Sequence, residues 1–190
     1  MIILKRMGED NMAANKTILS PAQKRKLLLV LRLLLLTAAV FYLLFLFYNN
    51  FSADNKLAVY FSTKDANYLR LEEREIDQDK DLYLQIFEEL KAGPESSELG
   101  GTIPDGSQLL EYEIEGELIV LNFNRALKDN HWGGSAGELL TVYSIVNSYT
   151  ALDQIQKVRI LIEGEEVESL VGHLDLSQPL MYNQKLTEGS

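Results

Sequence analysis

The feature that most constrains this chain is an apolar run near its N-terminus. Between Leu27 and Tyr48 only Arg32 is charged. As a helix this run would be roughly 33 Å long at about 1.5 Å per residue, which is enough to cross the hydrocarbon core of a bilayer. The long side chain of Arg32 can reach the headgroups. The sequence therefore predicts one transmembrane helix at residues 27–48.

Charge is distributed unequally on the two sides of this run. Residues 1–51 contain 7 basic and 2 acidic side chains, a net charge of +5, whereas residues 52–190 contain 11 basic and 26 acidic side chains, a net charge of −15. Basic residues mark the cytoplasmic end of a membrane helix, and Lys24, Arg25 and Lys26 directly precede the run. We therefore expect a protein of the cell membrane with a cytoplasmic N-terminus and an extracytoplasmic C-terminal domain.

Two alternatives for the apolar run stay open. A cleaved signal peptide would need small residues before the cut, and no A-x-A pattern follows the run. A core helix of a soluble protein is disfavoured, because this run is apolar on every face. A lipoprotein anchor is excluded because no cysteine is present to carry the lipid.

The predicted organisation has five parts. They are a cytoplasmic tail at residues 1–26, the transmembrane helix at 27–48, a linker at 49–56, a folded domain at 57–182 and a flexible tail at 183–190. The acidic domain argues against nucleic acid as a partner, because affinity for phosphate requires clustered Lys and Arg.

Two helices are predicted in the folded domain. The first opens at Asp79-Lys80-Asp81, whose carboxylates suit the positive end of a helix dipole, and ends at Gly93-Pro94. The second opens at Ser135 and continues to about Thr150, with apolar residues at helical spacing. Strands are predicted before and between these helices, so the order is ββα, ββα, ββ.

The strand pattern predicts the fold class. Apolar Leu110, Tyr112 and Ile114 alternate with glutamates, which indicates one buried and one exposed face, and the apolar run 118–123 should be a central strand. The tetrapeptide Ile-Glu-Gly-Glu occurs twice, and we interpret it as the same hairpin turn used twice. We expect an α+β domain, a mostly antiparallel sheet with two main helices on one face.

A hydrolase is the sharpest enzymatic hypothesis. Residues 133–137 match G-x-S-x-G, and Asp153 and His173 follow Ser135 in the order of an α/β-hydrolase triad. No strand leads directly into Ser135, however, and Ser135 with Glu138 has the S-x-x-E form of a capping box. We therefore expect Ser135 and Glu138 to be structural helix caps, and we expect no catalytic residues.

A metal site is the second chemical hypothesis. Asp77, Asp79, Asp81 and Glu88 echo the spacing of a calcium-binding loop, but Leu82 occupies the position of its essential glycine. These carboxylates are better explained as charges near a helix N-terminus. We therefore predict neither a metal nor a cofactor, and we interpret the glutamates of residues 111–117 as a solvated strand face.

His131 and Trp132 are the remaining candidates for function. Trp132 is the only tryptophan of the chain. It could pack beneath the second helix, or it could be exposed as a contact anchor, because tryptophan is enriched at interface hot spots. We name His131 and Trp132 as a candidate interaction surface.

Several motifs resemble those of a known family. The main one is the stretch 134–148, Gly-Ser-Ala-Gly-Glu-Leu-Leu-Thr-Val-Tyr-Ser-Ile-Val-Asn-Ser, and shorter matches lie at residues 59–61, 72–74, 102–104 and 172–177. Through these motifs residues 55–182 resemble the GerMN domain of sporulation and spore-germination proteins of the GerM type.

The resemblance implies a non-enzymatic envelope domain whose α+β fold is similar to the ring-building modules of secretion systems. Members of the family occur as lipoproteins, and the best-known member has two such domains and supports assembly of the channel between mother cell and forespore. This chain has one predicted domain and a membrane helix in place of the lipid-bearing cysteine.

We therefore expect a single-pass, membrane-anchored interaction or assembly module linked to sporulation or germination. Its expected partners are the membrane, other envelope or sporulation proteins, and further copies of the same chain. The alternative is an extracytoplasmic domain that binds a small ligand, such as a cell-wall fragment or a germinant. That alternative requires a pocket with convergent polar groups, whereas an assembly module would present a flat surface with aromatic anchors.

Overall fold

A computed structural model describes residues 20–53 and 56–187, with side chains at 20–46 and 56–187. Most of the predicted cytoplasmic tail, part of the predicted linker and the last three residues lie outside the described residues. The chain divides into two units, Met1–Ser52 and Ala53–Ser190. Each unit is described by itself.

The N-terminal unit contains one long helix, α1 (Pro21–Ala53). It begins with a capping box, because the Ser20 hydroxyl accepts from the Gln23 N–H and the Gln23 side-chain oxygen accepts from the Ser20 N–H. The segment Pro21–Leu46 is long and apolar enough to cross a membrane, and its large apolar side chains are exposed. A signal sequence would meet the same criterion of length and composition.

The C-terminal unit is an α+β domain, which confirms the predicted fold class. In chain order its elements are β1 (Lys56–Thr63), β2 (Leu69–Glu75), α2 (Leu82–Ala92), β3 (Leu99–Gly100), β4 (Leu109–Glu115), β5 (Leu118–Phe123), α3 (Ala126–Asp129), α4 (Ser135–Thr150), β6 (Lys157–Ile162), β7 (Glu165–Glu166), β8 (Leu180–Met181) and a 3₁₀ turn (Gln184–Leu186).

The strands of the described domain form two sheets. The first has the order β2-β1-β3, and both of its pairs are antiparallel. The second has the order β4-β5-β6-β7, with β8 also paired to β6. Only β5 and β6 pair in parallel, from Leu118 beside Lys157 to Phe123 beside Ile162. A parallel pair needs a long crossover, and α3 with α4 supplies it.

The strands form two sheets where the prediction had one. Helix α4 contacts β1 and β2 of the first sheet and β6 and β8 of the second. The helix can serve both sheets because it is buried on nearly all sides, with apolar residues such as Val142 and Ile145 and small polar residues such as Ser144 fully buried. One core cluster joins residues of both sheets with α2 and α4.

Helix α2 forms as the sequence predicts. The Asp81 carboxylate accepts from the N–H groups of Tyr83 and Leu84, at 3.0 Å each, and so caps the first turn. Gly93 ends the helix with a φ of 86°, a left-handed conformation that favours glycine. The buried face includes Phe87, whose ring lies 5.0 Å from that of Phe123.

Strand β5 is central in its sheet, as predicted, but the expected buried face of β4 is wrong. Leu110 is 48% exposed and Ile114 is 41% exposed, and Tyr112 alone of the three predicted residues is half-buried. The reason is that β4 is an edge strand with a bulge, where the pairing shifts between Leu109 and Glu111.

The two copies of Ile-Glu-Gly-Glu do not form the same turn. In the first hairpin Glu115 pairs with Leu118, so the turn consists of Gly116 and the following glutamate. In the second hairpin Ile162 pairs with Glu165, so the turn is Glu163-Gly164, and both residues have positive φ. Strand register, which depends on the partner strand, therefore shifts the same four residues by one position.

Candidate functional site

Helix α4, which carries the main family motif, has a buried polar side. Five polar residues of the helix are each at most 1% exposed: Glu138, Thr141, Ser144, Asn147 and Ser148. Their spacing of three or four residues brings neighbours together along the helix surface. Buried polar groups require hydrogen-bond partners. The sequence analysis did not predict this buried polar side. The signal for it was the recurrence of polar residues at helical spacing within an apolar stretch.

Glu138 organises the loop after β7. One of its carboxylate oxygens accepts from the N–H groups of Leu170 and Val171, at 2.8 and 3.0 Å, and the other accepts from those of His173 and Leu174, at 2.7 and 3.2 Å. Burial by itself would raise the pKa of this carboxyl, but the four N–H donors outweigh it and the pKa is lowered. Glu138 is thus a buried anion around which this loop is folded.

The predicted capping box at Ser135 and Glu138 is therefore wrong. The residue that precedes α4 is Gly134, with a φ of 83°, and no side chain caps this end of the helix. Ser135 is exposed as the first helical residue. The Glu138 carboxylate turns away from the helix end because the distant loop offers it four donors, whereas a capping box would offer one.

Asn147 and Ser148 hold two further segments. The Asn147 side chain accepts from the Asn183 N–H at 2.9 Å and donates to the Asn183 carbonyl at 3.3 Å. The Ser148 hydroxyl accepts from the Tyr60 N–H of β1 at 3.0 Å. Helix α4 thereby supplies side-chain hydrogen-bond partners to the main chain of strand β1 and of the C-terminal segment.

His131 lies at the start of the connection between α3 and α4. Its Nδ1 accepts from the Gly133 N–H at 2.9 Å, and its Nε2 lies 3.1 Å from the Thr141 hydroxyl oxygen. Because Thr141 donates its own proton to the Thr102 carbonyl at 2.7 Å, Nε2 must be the donor and the ring is neutral. Burial lowers the pKa of His131.

Trp132 is exposed, and its indole ring is held in place by His131 and Gly137. Its side chain is 57% exposed, so it does not lie beneath α4. One indole face stacks on His131, with ring centroids 4.9 Å apart and planes 24° from parallel. Gly137 lies against the ring so closely that a Cβ there would be 2.7 Å from the indole Nε1. The sequence placed His131 and Trp132 in one candidate surface, and the structure brings their rings together.

A cleft of about 210 Å³ lies beside Trp132. Its lining comes from the end of β1 and the turn after it, from the end of β3 and the residues after it, and from the start of α4 and the connection before it, namely Ser62, Thr63, Lys64, Ala66, Gly100, Gly101, Thr102, Trp132, Gly137 and Leu140. Lys64 is the only charged residue among the described lining residues, although the domain carries far more acidic than basic residues. The Thr102 hydroxyl is buried in this wall and has no hydrogen-bond partner among the residues that the structure describes.

The three residues of the hydrolase hypothesis, Ser135, Asp153 and His173, do not come together in one site. Ser135 begins α4, whereas Asp153 lies beyond its other end, and the helix between them is roughly 22 Å long at about 1.5 Å per residue. The His173 main chain donates to Glu138, and His173 itself is exposed. The strand before Ser135 ends at Phe123 and is separated from it by α3, so the geometry of a nucleophile elbow is missing.

The aspartates of the calcium hypothesis serve other roles. Asp77 accepts from the Asp79 N–H and pairs with Lys80. Asp81, besides capping α2, accepts from the Tyr112 hydroxyl at 2.6 Å, which lowers the pKa of Asp81 and raises that of Tyr112 to about 12. Within residues 20–53 and 56–187 no group of three or more acidic or histidine side chains is placed to hold a metal ion.

A second, larger hollow of about 520 Å³ lies in the loop held by Glu138, between Glu168 and Ser177. Most of the residues that line it are exposed, including Gly172, His173 and Asp175. It is an open depression in a polar loop and lacks the apolar walls of an ordinary ligand pocket.

Residues 58–168 match the Germane family, which is described as sporulation and spore germination. The chain belongs to the Germane family. The matched region contains β1 to β7 with α2 and α4, so the buried polar side of α4 and the Trp132 connection are parts of the family domain.

Solved structures are similar to this Germane domain in fold. The first GerMN domain of the Bacillus subtilis sporulation protein GerM is 19% identical, with a TM-score of 0.57, and the match covers 68% of this chain and 98% of that one. The tandem GerMN domains of the same protein are 20% identical, with a TM-score of 0.57, covering 70% of this chain and 47% of that one. This chain thus spans about half of the two-domain structure.

A protein from Clostridium perfringens described as a lipoprotein is 28% identical, with a TM-score of 0.49, covering 66% of this chain and 86% of that one. No curated protein matches the chain. The predicted membership of the GerMN family and the α+β fold are confirmed.

Proposed function

We propose that this Germane-family chain is a non-enzymatic, membrane-anchored module of the cell envelope, linked to sporulation or spore germination, that binds another envelope protein through the Trp132 surface. A further copy of the same chain is the other partner that we propose for this module. The link to sporulation and germination is the description of its family. The molecular role as an interaction or assembly module is our own inference.

The anchoring is supported by α1 and by the charges around it. Its apolar segment is long enough to cross a bilayer, and Lys24, Arg25 and Lys26 precede the uncharged part. The positive-inside rule then directs residues 1–26 to the cytoplasm and the domain to the outside. This arrangement would present the domain to other components of the envelope.

The observation that carries the proposal is the exposed and supported Trp132. An aromatic ring that is already fixed by His131 and Gly137 loses little conformational entropy when a partner covers it. Tryptophan is enriched among residues that contribute most to binding energy. The acidic candidates Asp77, Asp81 and Glu138 are engaged in turns, caps and loops, whereas Trp132 is exposed and held in place, which suits a contact role.

Site-specific photo-cross-linking tests the proposal. A photoreactive phenylalanine analogue replaces Trp132 in the full-length membrane protein, in growing and in sporulating cells. We expect a discrete protein adduct in sporulating cells. The matched control carries the same analogue at Leu110, which is 48% exposed on β4, and should give no such adduct. An identical adduct pattern at both positions, or no protein adduct at Trp132, would contradict the proposal.

A further inference from the structure

We propose that the cleft beside Trp132 binds a sugar ring that carries a free carboxylate, the chemistry of muramic acid in cell-wall glycan from which the stem peptides have been removed. The inference rests on the extracytoplasmic location in the proposed function, and it does not depend on the protein partner proposed there. It gives the domain a binding site for such glycan in a cleft whose lining contains none of the catalytic or calcium-binding side chains suggested by the sequence.

The first argument is the indole face. Trp132 lines the cleft and is 57% exposed, and one face of its indole stacks on His131. A pyranose ring has a flat side of C–H groups, and such a side packs on an aromatic ring as other apolar groups do. Because His131 and Gly137 already hold the indole in place, the ring needs no ordering when the sugar arrives.

The second argument is the polarity of the lining. The Trp132 Nε1–H and the Lys64 ammonium have no hydrogen-bond or ion-pair partner in the part of the chain that the structure describes. Both groups are donors only, so the site suits a ligand rich in acceptor oxygens. An apolar side chain in the cleft would leave these groups unpaired, which costs binding energy.

The third argument is the sign of the charge. The domain is strongly acidic, and an anion would be repelled from most of its surface. The cleft is an exception, because its described lining contains Lys64 and no carboxylate. The carboxylate next to Lys64 in the chain, that of Asp65, already accepts hydrogen bonds from the side chains of Thr63 and Asn67. A carboxylate on the ligand would pair with Lys64 there and would distinguish an acidic sugar from a neutral one.

The fourth argument is size. At about 210 Å³ the cleft is smaller than the roughly 300–1,000 Å³ of sites that enclose drug-sized ligands. It therefore suits a single ring, with the remainder of a glycan chain outside. The small residues Gly100, Gly101 and Ala66 leave room for the ring against the main chain.

Nuclear magnetic resonance of the full-length chain in nanodiscs tests this inference. Since Trp132 is the only tryptophan, the spectrum contains a single indole N–H signal, and this signal reports directly on the site. It is followed during titration with N-acetylmuramic acid and, separately, with N-acetylglucosamine, which has the same ring without the carboxylate-bearing group. We expect the acidic sugar to shift the signal in a saturable manner and to bind about fivefold more tightly than the neutral one.

Two variants and one control sharpen the test. Lys64→Gln should weaken binding of the acidic sugar about fivefold and leave the neutral sugar unchanged. Trp132→Ala, followed through the amide signals of Gly100 and Gly101, should weaken both sugars about tenfold. Lys157→Gln, which removes an exposed lysine on β6, should change neither.

The outcomes separate the two proposals. Absence of a saturable indole shift with N-acetylmuramic acid, or equal affinity for both sugars in the wild type and in Lys64→Gln, would overturn the inference. A protein adduct at position 132 without sugar binding would leave the proposed function standing and overturn only the sugar site. Sugar binding without a protein adduct would support the sugar site and contradict the protein partner.

Discussion

At the scale of single residues, this domain depends on buried polar side chains that bind irregular main chain. Glu138 accepts from four N–H groups of one loop, and Asn147 both accepts from and donates to Asn183. The main-chain groups that these two side chains bind, at residues 170–174 and at Asn183, belong to no helix or strand. Two side chains of one helix therefore fix two segments that regular secondary structure does not hold.

The Glu138→Gln variant tests this role. The amide can accept with one oxygen only, so two of the four loop N–H groups lose their acceptor and face an NH₂ group. We expect unfolding free energy to fall by about 2–4 kcal/mol, since each unsatisfied buried donor costs about 1–3 kcal/mol. Chemical denaturation measures the loss, and hydrogen exchange at residues 170–174 should accelerate.

Ser135→Ala is the matched control for Glu138→Gln. A capping box would make this change cost about 1 kcal/mol. Because the hydroxyl makes no cap in the structure, we expect a change within about 0.5 kcal/mol. A large loss in Ser135→Ala with little effect in Glu138→Gln would restore the capping interpretation.

His131 makes stability depend on pH in a defined direction. Burial lowers the pKa of His131 from its usual 6.5, against a smaller opposing effect of the Glu138 charge. Below about pH 6.5 the unfolded chain therefore takes up the proton before the folded domain does, and stability falls as pH decreases. Above this range His131 is neutral in both states and contributes no pH dependence.

The His131→Gln variant isolates this contribution. Its side-chain NH₂ can replace the Nε2 donor to Thr141, but it does not titrate. We expect the loss of stability between pH 7.5 and pH 5 to be smaller in the variant than in the wild type, measured by denaturant unfolding with Trp132 fluorescence. Equal pH dependence in the two proteins would show that the ring is not held neutral.

At the scale of elements, the glycines in and after the connection between α3 and α4 are explained by the position of the Trp132 ring. Gly133 and Gly134 have φ values of 81° and 83°, which favour glycine, and they let the chain reverse directly after Trp132. Gly137 then lies within the first turn of α4, where any larger residue would meet the indole. The glycine-rich motif that resembles a nucleophile elbow is explained here by the seating of a tryptophan.

A double-mutant cycle tests this explanation. In an otherwise unhindered helix, Gly→Ala stabilises by about 0.8–1.0 kcal/mol. In the wild type we expect Gly137→Ala to lose this benefit, because the new methyl group overlaps Trp132 Nε1, and to shift the fluorescence of Trp132. In a Trp132→Ala background the same change should become stabilising. Denaturation of the four proteins measures the difference, and additive effects would contradict the contact.

At the scale of the whole molecule, the proposed anchoring by α1 places the Germane domain outside the cell membrane. The proposed topology predicts that protease added to intact protoplasts removes the domain and leaves a short protected fragment that contains α1. It also predicts that carbonate washing does not release the full-length chain. An intact domain after protease treatment, with degradation only after lysis, would place it in the cytoplasm and contradict the proposal.

The sequence alone determined those features that depend on neighbours along the chain. The acidic segment 79–81 and Gly93 marked the two ends of α2, the apolar run 118–123 identified the central strand β5, and the stretch 134–148 indicated both α4 and the family. Helix caps, helical periodicity and strand alternation are local properties, so a single sequence carries them in full.

The tertiary structure decided what depends on distant partners. Glu138 matched a capping box in sequence, yet its donors lie 32 to 36 residues further along the chain and outnumber the single local one. The two Ile-Glu-Gly-Glu copies turn differently because their partner strands impose different registers. Trp132 likewise lies exposed against His131 and Gly137, where the sequence left open a position beneath the helix. Such contacts compete with local preferences by number and burial, and only the folded chain shows which of them prevails.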